Sequence, residues 1–457
     1  MAIMRSINPT TGELLSERAE HSRPEAIHRL DRAHLAWREW RERPAAERAE
    51  VLHAAAAQLR AHANDLARLA TLEMGKPIAQ AAAEVEKCAW VCDWCAEHGP
   101  GLLEDRAVAS DADRSLVRSV PLGVVLAVMP WNFPFWQVFR AAAPALIAGN
   151  AIALKHASNV PGVALAIEML WRDAALPAGV FTTLLVPAST AAELVAHPAI
   201  AAVTVTGSEL AGVSLSERSG RALKKIVLEL GGSDPFLVLA DADLDHVVEQ
   251  AVLARVQNNG QSCIAAKRFI VEAPLAAEFE ARLVQRMRAL VVGDPLDPAT
   301  HVGPLARPDL VSDLDAQVRG SIAAGARLAL GGTRLERPGF FYAPTVLADV
   351  RPGCPAFDEE TFGPLAPVIV ARDTDEAIAL ANRSSYGLGA SVWTRDAARG
   401  EQVARAIEAG AVFVNGIVKS DPRLPFGGIK RSGHGRELGE AGLREFVNLQ
   451  TLWVRER

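Results

Sequence analysis

The sequence predicts an α/β fold in which parallel sheets are covered by helices on both faces. From Gly123 to Leu228, short apolar strands alternate with helical segments, the rhythm of parallel strands joined by helical crossovers. A second block of the same kind runs from about Ser233 to Arg431. Length and composition agree with this class. The 457 residues amount to roughly three domain-sized units with room for a large core, and 50% hydrophobic with 22% charged residues is the balance of a globular enzyme.

Residues 22–74 carry helical periodicity rich in Ala, Leu, Arg and Glu, with Trp37 and Trp40 on one face and Pro44 expected in the first turn of the second helix. A third helix, about Ile78 to Glu97, contains Cys88, Cys92 and Cys95. Their C-x3-C-x2-C spacing is that of an iron–sulfur motif. They fall on one helical face beside Val85 and Val91, however, with no Gly or Pro among them to form a ligand loop, so core packing is the favoured reading. Ala107 to Val120 alternates polar and apolar residues, as a short hairpin or arm does. Strands are expected at Gly123–Met129, Ala151–Lys155, Thr182–Val186, Ala202–Val205 and Lys225–Leu228. Between them lie helices Phe139–Ala148, Val160–Ala174, Thr190–Ala196 and Glu209–Ser219. Ligands of such sheets bind at the carboxyl ends of the strands. In the second block strands are expected near Phe269–Val271, Val368–Val370 and Ala411–Val414. The terminal strand Val447–Val454 has no obvious partner in its own domain and is a candidate for exchange onto another subunit.

Several function classes are excluded at this level. The formal net charge is −6 and no block of five like charges appears, which speaks against a nucleic-acid partner or a membrane-surface helix. The N-terminus has no apolar signal core. The apolar regions Gly123–Trp136 and Ala141–Leu154 are interrupted by Asn132, Arg140, Asn150 and prolines, so no membrane span is expected. Five cysteines, an odd number unevenly spaced, suit a reducing compartment and a cytoplasmic location.

The chemistry gathers around Gln257-Asn258-Asn259-Gly260-Gln261-Ser262-Cys263. A helical pattern, Asp245 to Val256, runs into two Asn and a Gly that accept left-handed or turn conformations, and the Cys follows. This reads either as a nucleophilic thiol at a bend with free backbone N–H groups, or as a polar turn followed by a small buried Cys. A nucleophile also requires a lowered thiol pKa or a nearby base. Asn132, in Pro130-Trp131-Asn132-Phe133-Pro134, follows a strand and can donate to an oxyanion. Glu229, in Leu228-Glu229-Leu230-Gly231-Gly232, is a carboxylate at the end of an apolar strand and a candidate general base. No G-x-G-x-x-G fingerprint occurs. Thr206-Gly207-Ser208 after a strand offers either a helix N-terminus for a phosphate or an ordinary cap at Ser208.

Taken together with Asp358-Glu359-Glu360-Thr361-Phe362-Gly363-Pro364 and Leu424-Pro425-Phe426-Gly427-Gly428-Ile429-Lys430, these motifs resemble in type and order the aldehyde dehydrogenase superfamily. The resemblance extends from Asn8-Pro9-Thr10-Thr11-Gly12 to the terminal strand. It implies a Rossmann-like cofactor domain (1–104 and 123–232), an α/β catalytic domain (233–431), and a small β oligomerisation arm with a C-terminal strand (105–122 and 432–457). It implies Cys263 as nucleophile, Glu229 as base, and Asn132 with the Cys263 N–H as oxyanion hole. Trp131, Lys155, Ser158, Gly207, Ser208, Glu360 and Phe362 would hold the cofactor, and the chain would form a homodimer or dimer of dimers.

Within that superfamily, Arg140 two turns after Asn132 and Ser420 shortly before Pro425 resemble the succinate-semialdehyde dehydrogenase branch. There an Arg and a Ser hold the substrate's distal carboxylate, with Trp136 and Phe426 lining the same pocket. A surface charge and a turn residue are the plainer readings of Arg140 and Ser420. Many NAD-preferring relatives carry Glu three residues after the cofactor lysine, where this chain reads Lys155-His156-Ala157-Ser158. The neutral Ser158 removes a charge that repels a 2′-phosphate, so NADP is expected to be preferred, with NAD the weaker alternative. The rivals are a cysteine hydrolase using Cys263 with His301, a non-enzymatic scaffold such as lens crystallins of this fold, and a dehydrogenase of broader aliphatic specificity.

Overall fold

The computed structural model describes residues 2–456. It opens with an antiparallel hairpin, Ile3–Ile7 against Leu14–Ala19. Its turn is closed by Asn8 Oδ1 accepting from the Thr10 N–H at 2.9 Å, and Gly12 takes φ +78°. Four helices follow. Helix α1 (Arg23–Trp40) is capped by Ser22, whose hydroxyl accepts from the Glu25 N–H. Helix α2 (Ala45–Ala61) begins one residue after Pro44, which is the cap and not, as its sequence suggested, a first-turn residue. Helix α3 (Ala63–Met74) ends on a left-handed Gly75, and α4 (Ile78–Leu102) packs against α2 and α3. Trp40 is wholly buried whereas Trp37 stays half-exposed, so the two do not share one buried face equally. Cys88, Cys92 and Cys95 of α4 are buried in the core, and burial pushes their thiols up.

The first sheet runs in the order Gly433–His434, Lys225–Glu229, Ile200–Thr206, Val124–Met129, Ala151–His156, Phe181–Thr183. All neighbours are parallel except the Gly433–His434 edge. The chain winds outward from Val124–Met129 through two strands, then returns to build Ile200–Thr206 on the other side. This makes a topological switch point between Val124–Met129 and Ile200–Thr206, the place where ligands bind open α/β sheets. Helix α5 (Trp136–Ile147), entirely buried, leaves from that point. Expected and observed strands coincide within a few residues. Thr182–Val186 is the exception: the Leu184 N–H makes the last bond to the neighbouring strand, at Leu154 O (2.7 Å), and the backbone then turns, with the Val186 N–H donating to Leu184 O.

The second sheet has seven strands: Arg327–Leu330, Thr345–Ala348, Leu365–Ala371, Ala266–Glu272, Asp234–Val238, Gly389–Trp393 and Ala411–Val414. Only the Arg327–Leu330 edge is antiparallel. Asp234–Val238 lies inside the sheet between Ala266–Glu272 and Gly389–Trp393, and Pro235 is tolerated there because the register shifts between Asp234 and Pro235. The chain crosses from the first sheet to the second over Leu230–Ser233, so Glu229, Gly231 and Gly232 lie at the seam. Cys263 sits on the loop that enters Ala266–Glu272.

A third sheet joins Arg106–Ala107, Arg114–Pro121 and the terminal Val447–Val454, all antiparallel. The terminal strand therefore has a partner within its own chain, contrary to expectation, because the arm curls back along its whole length from Pro121 to Arg114. Its other edge carries no strand among the described residues, and Leu449, Leu452 and Trp453 are exposed. No helix of the described residues is long and apolar enough to cross a membrane.

Candidate active site

After the helix Leu244–Val256, the backbone takes three successive left-handed residues: Asn258 (φ 54°), Asn259 (φ 59°) and Gly260 (φ 76°). Asn is among the few side chains that tolerate this region, and here both amides are buried and bonded. Asn258 Nδ2 donates to the carbonyls of Asn132 (2.6 Å) and Gln261 (2.9 Å), while its N–H donates to Gln80 Oε1 (2.7 Å). Asn259 Nδ2 donates to Gly75 and Pro304 carbonyls at 2.8 and 2.9 Å, and its Oδ1 accepts from the Gly303 N–H. Gln261 Oε1 accepts from the Ala306 N–H at 2.9 Å. The turn expected from Asn-Asn-Gly is thus present, and it is pinned to four distant segments.

The turn delivers Cys263, half-buried, to the junction of two cavities whose linings both include it. Asn132 Nδ2 donates to Gln261 O at 3.1 Å, which places its amide beside the turn with a second N–H to spare. The Cys263 N–H has no protein acceptor among the described residues. Lys267, which the motifs did not single out, is buried below the turn. Its Nζ donates to the carbonyls of Gly232 (2.7 Å) and Cys263 (2.8 Å) and to Glu360 Oε1 (2.9 Å). The expected lowering of the thiol pKa is not what the surroundings do. Burial pushes Cys263 up to about 12, only partly opposed by the positive charges of Lys267 and Arg140. To act as a nucleophile the thiol must first lose this proton.

Glu229 is buried, and neither carboxylate oxygen has a hydrogen-bond partner among the described residues. Burial first, and then the neighbouring Glu437 carboxylate, hold it well above the usual range, against Arg140 and Arg436. It lines neither cavity. Its Oε1 faces Gly427, where an added Cβ would come within 2.6 Å. The structure therefore does not place Glu229 in the wall of either cavity that Cys263 lines.

One cavity, about 340 Å³, opens at the switch point. Trp131, Asn132, Gly207, Ser208, Glu360 and Phe362 are in its wall. Ser208 caps the helix Glu209–Arg221, its hydroxyl accepting from the Ala211 N–H at 3.4 Å. Phe362 meets Trp131 edge-on with ring centres 5.8 Å apart, and Glu360 is fixed by Lys267 and the Gly232 N–H. Lys155 and Ser158 lie on the adjacent strand end and the loop after it. Lys155 is buried without an ion pair or hydrogen bond among the described residues, its pKa lowered by that burial. The other cavity, about 190 Å³, is walled by Trp136, Arg140, Ser420 and Phe426. No histidine lines either cavity. His301 is exposed, its Nδ1 accepting from the Val291 N–H, which removes the hydrolase reading that needed it as a base.

The Aldehyde dehydrogenase family model matches residues 2–452. The chain belongs to the aldehyde dehydrogenase family. It is 53% identical over 449 residues to a probable succinate-semialdehyde dehydrogenase [NADP(+)] of Synechocystis, covering 98% of this chain and 99% of that one. It is 48% identical over 448 residues to a succinate semialdehyde dehydrogenase [NAD(P)+] of Escherichia coli, covering 98% and 97%. Among solved structures, a succinic semialdehyde dehydrogenase of Streptococcus pyogenes in complex with NADP+ superposes with a TM-score of 0.97 at 36% identity, over 99% of this chain and all of that one.

In this aldehyde dehydrogenase Arg140 is no surface charge. It is buried, ion-paired with Glu437, donates to Thr206 Oγ1 at 3.3 Å, and has its guanidinium 4.7 Å from the Phe426 ring. Ser420 is buried too, accepting from Trp136 Nε1 at 3.1 Å and from Lys87 Nζ at 2.9 Å. Glu437 and Lys87 were missed by motif reading. The one signal for Lys87 is its place three residues after Glu84, four after Ala83 and seven after Gln80, all on the cavity face of α4.

Gly260→Ala tests the turn. A Cβ at φ 76° is strained by about 1–3 kcal/mol and here also collides with the Gly363 carbonyl oxygen. The variant should melt several degrees below wild type and lose most aldehyde oxidation. An unchanged thermal midpoint would show that the turn is not under this constraint.

Proposed function

We propose that the protein oxidises succinic semialdehyde to succinate with NADP. The observation that carries this reading is the small cavity that joins the Cys263 thiol to Ser420 and to two basic side chains, Lys87 and Arg140, a wall suited to a carboxylate. The names of the relatives support it. In the proposed mechanism the Cys263 thiol passes its proton to water in the cavity, the thiolate attacks the aldehyde carbon, and the resulting oxyanion accepts from the Asn132 amide and the Cys263 N–H. A bound nicotinamide cofactor supplies the hydride acceptor. Loss of the C–H hydride leaves a thioester on Cys263. Glu229, rotated out of its place against Gly427, deprotonates a water that attacks the thioester carbon. The C–S bond breaks, and carboxylate and thiolate are released.

The cofactor suits the residues of the larger cavity together with Lys155 on the strand end beside it. Lys155 is a buried cation without a partner, Ser208 tops a helix N-terminus, and Glu360 is an ordered carboxylate suited to ribose hydroxyls. Phe362 and Trp131 offer flat apolar contact for the nicotinamide. On this reading residues 1–104 and 123–232 form the cofactor-binding part and 233–431 the catalytic part. Residues 105–122 and 432–457, with their open and apolar strand edge, form the contact with a second copy in a homodimer or dimer of dimers. Five free cysteines fit a reducing, cytoplasmic setting.

For the substrate, kcat/KM should favour succinic semialdehyde over butanal by roughly ten- to a hundredfold, the equivalent of one charge-assisted hydrogen bond of ~1.5–3 kcal/mol. Equal values would return the protein to the broader aliphatic class. For the mechanism, Cys263→Ala should abolish oxidation. Glu229→Gln should give a single-turnover burst of reduced cofactor with little steady-state rate, and full steady-state activity in either variant would overturn the assignment. For the cofactor, NADP should exceed NAD in kcat/KM. Ser158→Glu should reverse that order, since two like charges ~4 Å apart cost up to ~4 kcal/mol at intermediate dielectric. An unchanged ratio would mean that Ser158 does not touch the cofactor.

A further inference from the structure

The cavity beside Cys263 has four charged side chains in its wall: Glu84, Lys87, Arg140 and Lys419. Three of them have their charge answered elsewhere. Glu84 is ion-paired with the buried Lys76 and accepts from the N–H groups of Phe135 and Trp136, both at 2.9 Å. Arg140 is ion-paired with the equally buried Glu437. Lys419 is exposed to solvent. Lys87 is the exception. It is half-buried, and no carboxylate lies within 4 Å of its ammonium among the described residues. Asp421, on the loop opposite, is held by Arg423 at 2.7 Å.

What Lys87 does touch is polar and aromatic. Its Nζ donates to Ser420 Oγ at 2.9 Å and sits 4.3 Å from the centre of the Trp136 ring. Ser420 Oγ also accepts from Trp136 Nε1 at 3.1 Å. With both lone pairs engaged, the Ser420 hydroxyl proton is left to donate. The wall thus presents an ammonium with spare N–H groups and an O–H directed by its own acceptors, both in need of an anion.

We propose that Lys87 is the cation that binds the distal carboxylate of the substrate, with the Ser420 hydroxyl as second donor. Arg140, its charge already matched by Glu437, positions Phe426 and this wall. The proposal rests on the acidic-aldehyde reading above and names the residue that makes it. It also explains why Arg140→Ala is a poor test of substrate choice. Removing that guanidinium strands Glu437 as an unpaired buried carboxyl, which damages the site for every aldehyde.

The surroundings of Lys87 agree. Burial lowers its pKa to about 8, with Arg140 of α5 adding to the effect. Cys88 and Glu84 on its own helix and Asp421 on the facing loop work in the other direction. The ammonium is therefore charged at neutral pH and titrates just above it, and a bound carboxylate favours the charged form.

The test compares succinic semialdehyde with butanal in wild type, Lys87→Met, Lys87→Gln and Lys87→Arg. Lys87→Met and Lys87→Gln should lose roughly ten- to a hundredfold in kcat/KM for succinic semialdehyde, mainly through KM, with a loss on butanal about tenfold smaller. Lys87→Arg should restore much of it. In wild type the KM for succinic semialdehyde, relative to butanal, should rise between about pH 7 and pH 9 as Lys87 loses its proton. The rise should vanish in Lys87→Arg, and since wild type carries this arm, it does not depend on the other variants folding. Equal losses on both aldehydes, or a flat wild-type KM ratio across that range, would overturn the proposal. A wild-type preference for succinic semialdehyde that survives Lys87→Met would remove Lys87 alone. Absence of any wild-type preference would instead remove the acidic-aldehyde reading beneath it.

Discussion

Three consecutive left-handed residues, Asn258, Asn259 and Gly260, hold the thiol of Cys263 between two sheets. Such a run is unfavourable for L-residues and persists only when its surroundings over-determine it. Here the surroundings come from every side. The Asn259 amide reaches the end of α3 at Gly75 and the Gly303–Pro304 loop, and Asn258 reaches Asn132 at the switch point and Gln80 on α4. Helices α3 and α4, the first sheet and the second sheet therefore meet through one turn. That is why the two cavities share Cys263, one at the carboxyl ends of the first sheet and the other against α4.

The charges around that turn follow a consistent pattern. Three buried ions near it are matched by opposite charges: Lys76 by Glu84, Arg140 by Glu437, Lys267 by Glu360. The thiol and Glu229 are instead left in surroundings that favour their neutral forms. A neutral thiol is a poor nucleophile and a neutral carboxyl cannot act as a base. In the proposed mechanism the chemistry therefore waits on what enters the cavities and on a rotated Glu229. Arg255 and Arg268 are buried without a carboxylate but give their N–H groups to backbone carbonyls. Lys155 has no partner of any kind among the described residues and Lys87 has no carboxylate, and in the proposed function each receives an anionic group.

Much of this was legible in the chain because it is local. Strands buried on both faces, such as Val124–Met129 and Ala151–His156, read as unbroken Val, Ile, Leu and Ala runs. The Asn-Asn-Gly turn declares its backbone by composition. The interior strand Asp234–Val238 was missed because its Asp-Pro start reads as a break, and only the register shift against Ala266–Glu272 accommodates it. Gly389–Trp393 was missed because Gly, Ala and Ser weaken its apolar signal, although every residue is buried. The partners of the site charges were beyond reach for a different reason. Lys87 meets Ser420 across 333 residues, and Arg140 finds Glu437 near the other end of the chain. No spacing rule encodes a contact that only the closed fold creates.

The account turns on one atom, the sulfur of Cys263, carrying the acyl group. Glu229→Gln enzyme mixed with succinic semialdehyde and NADP, quenched in acid within a turnover and digested, can be read by mass spectrometry. A succinyl thioester on the peptide containing Cys263, absent when NADP is omitted, is the predicted result. An unmodified Cys263 peptide beside a full equivalent of reduced cofactor, or an acyl group on Cys88, Cys92, Cys95 or Cys354 instead, would contradict it.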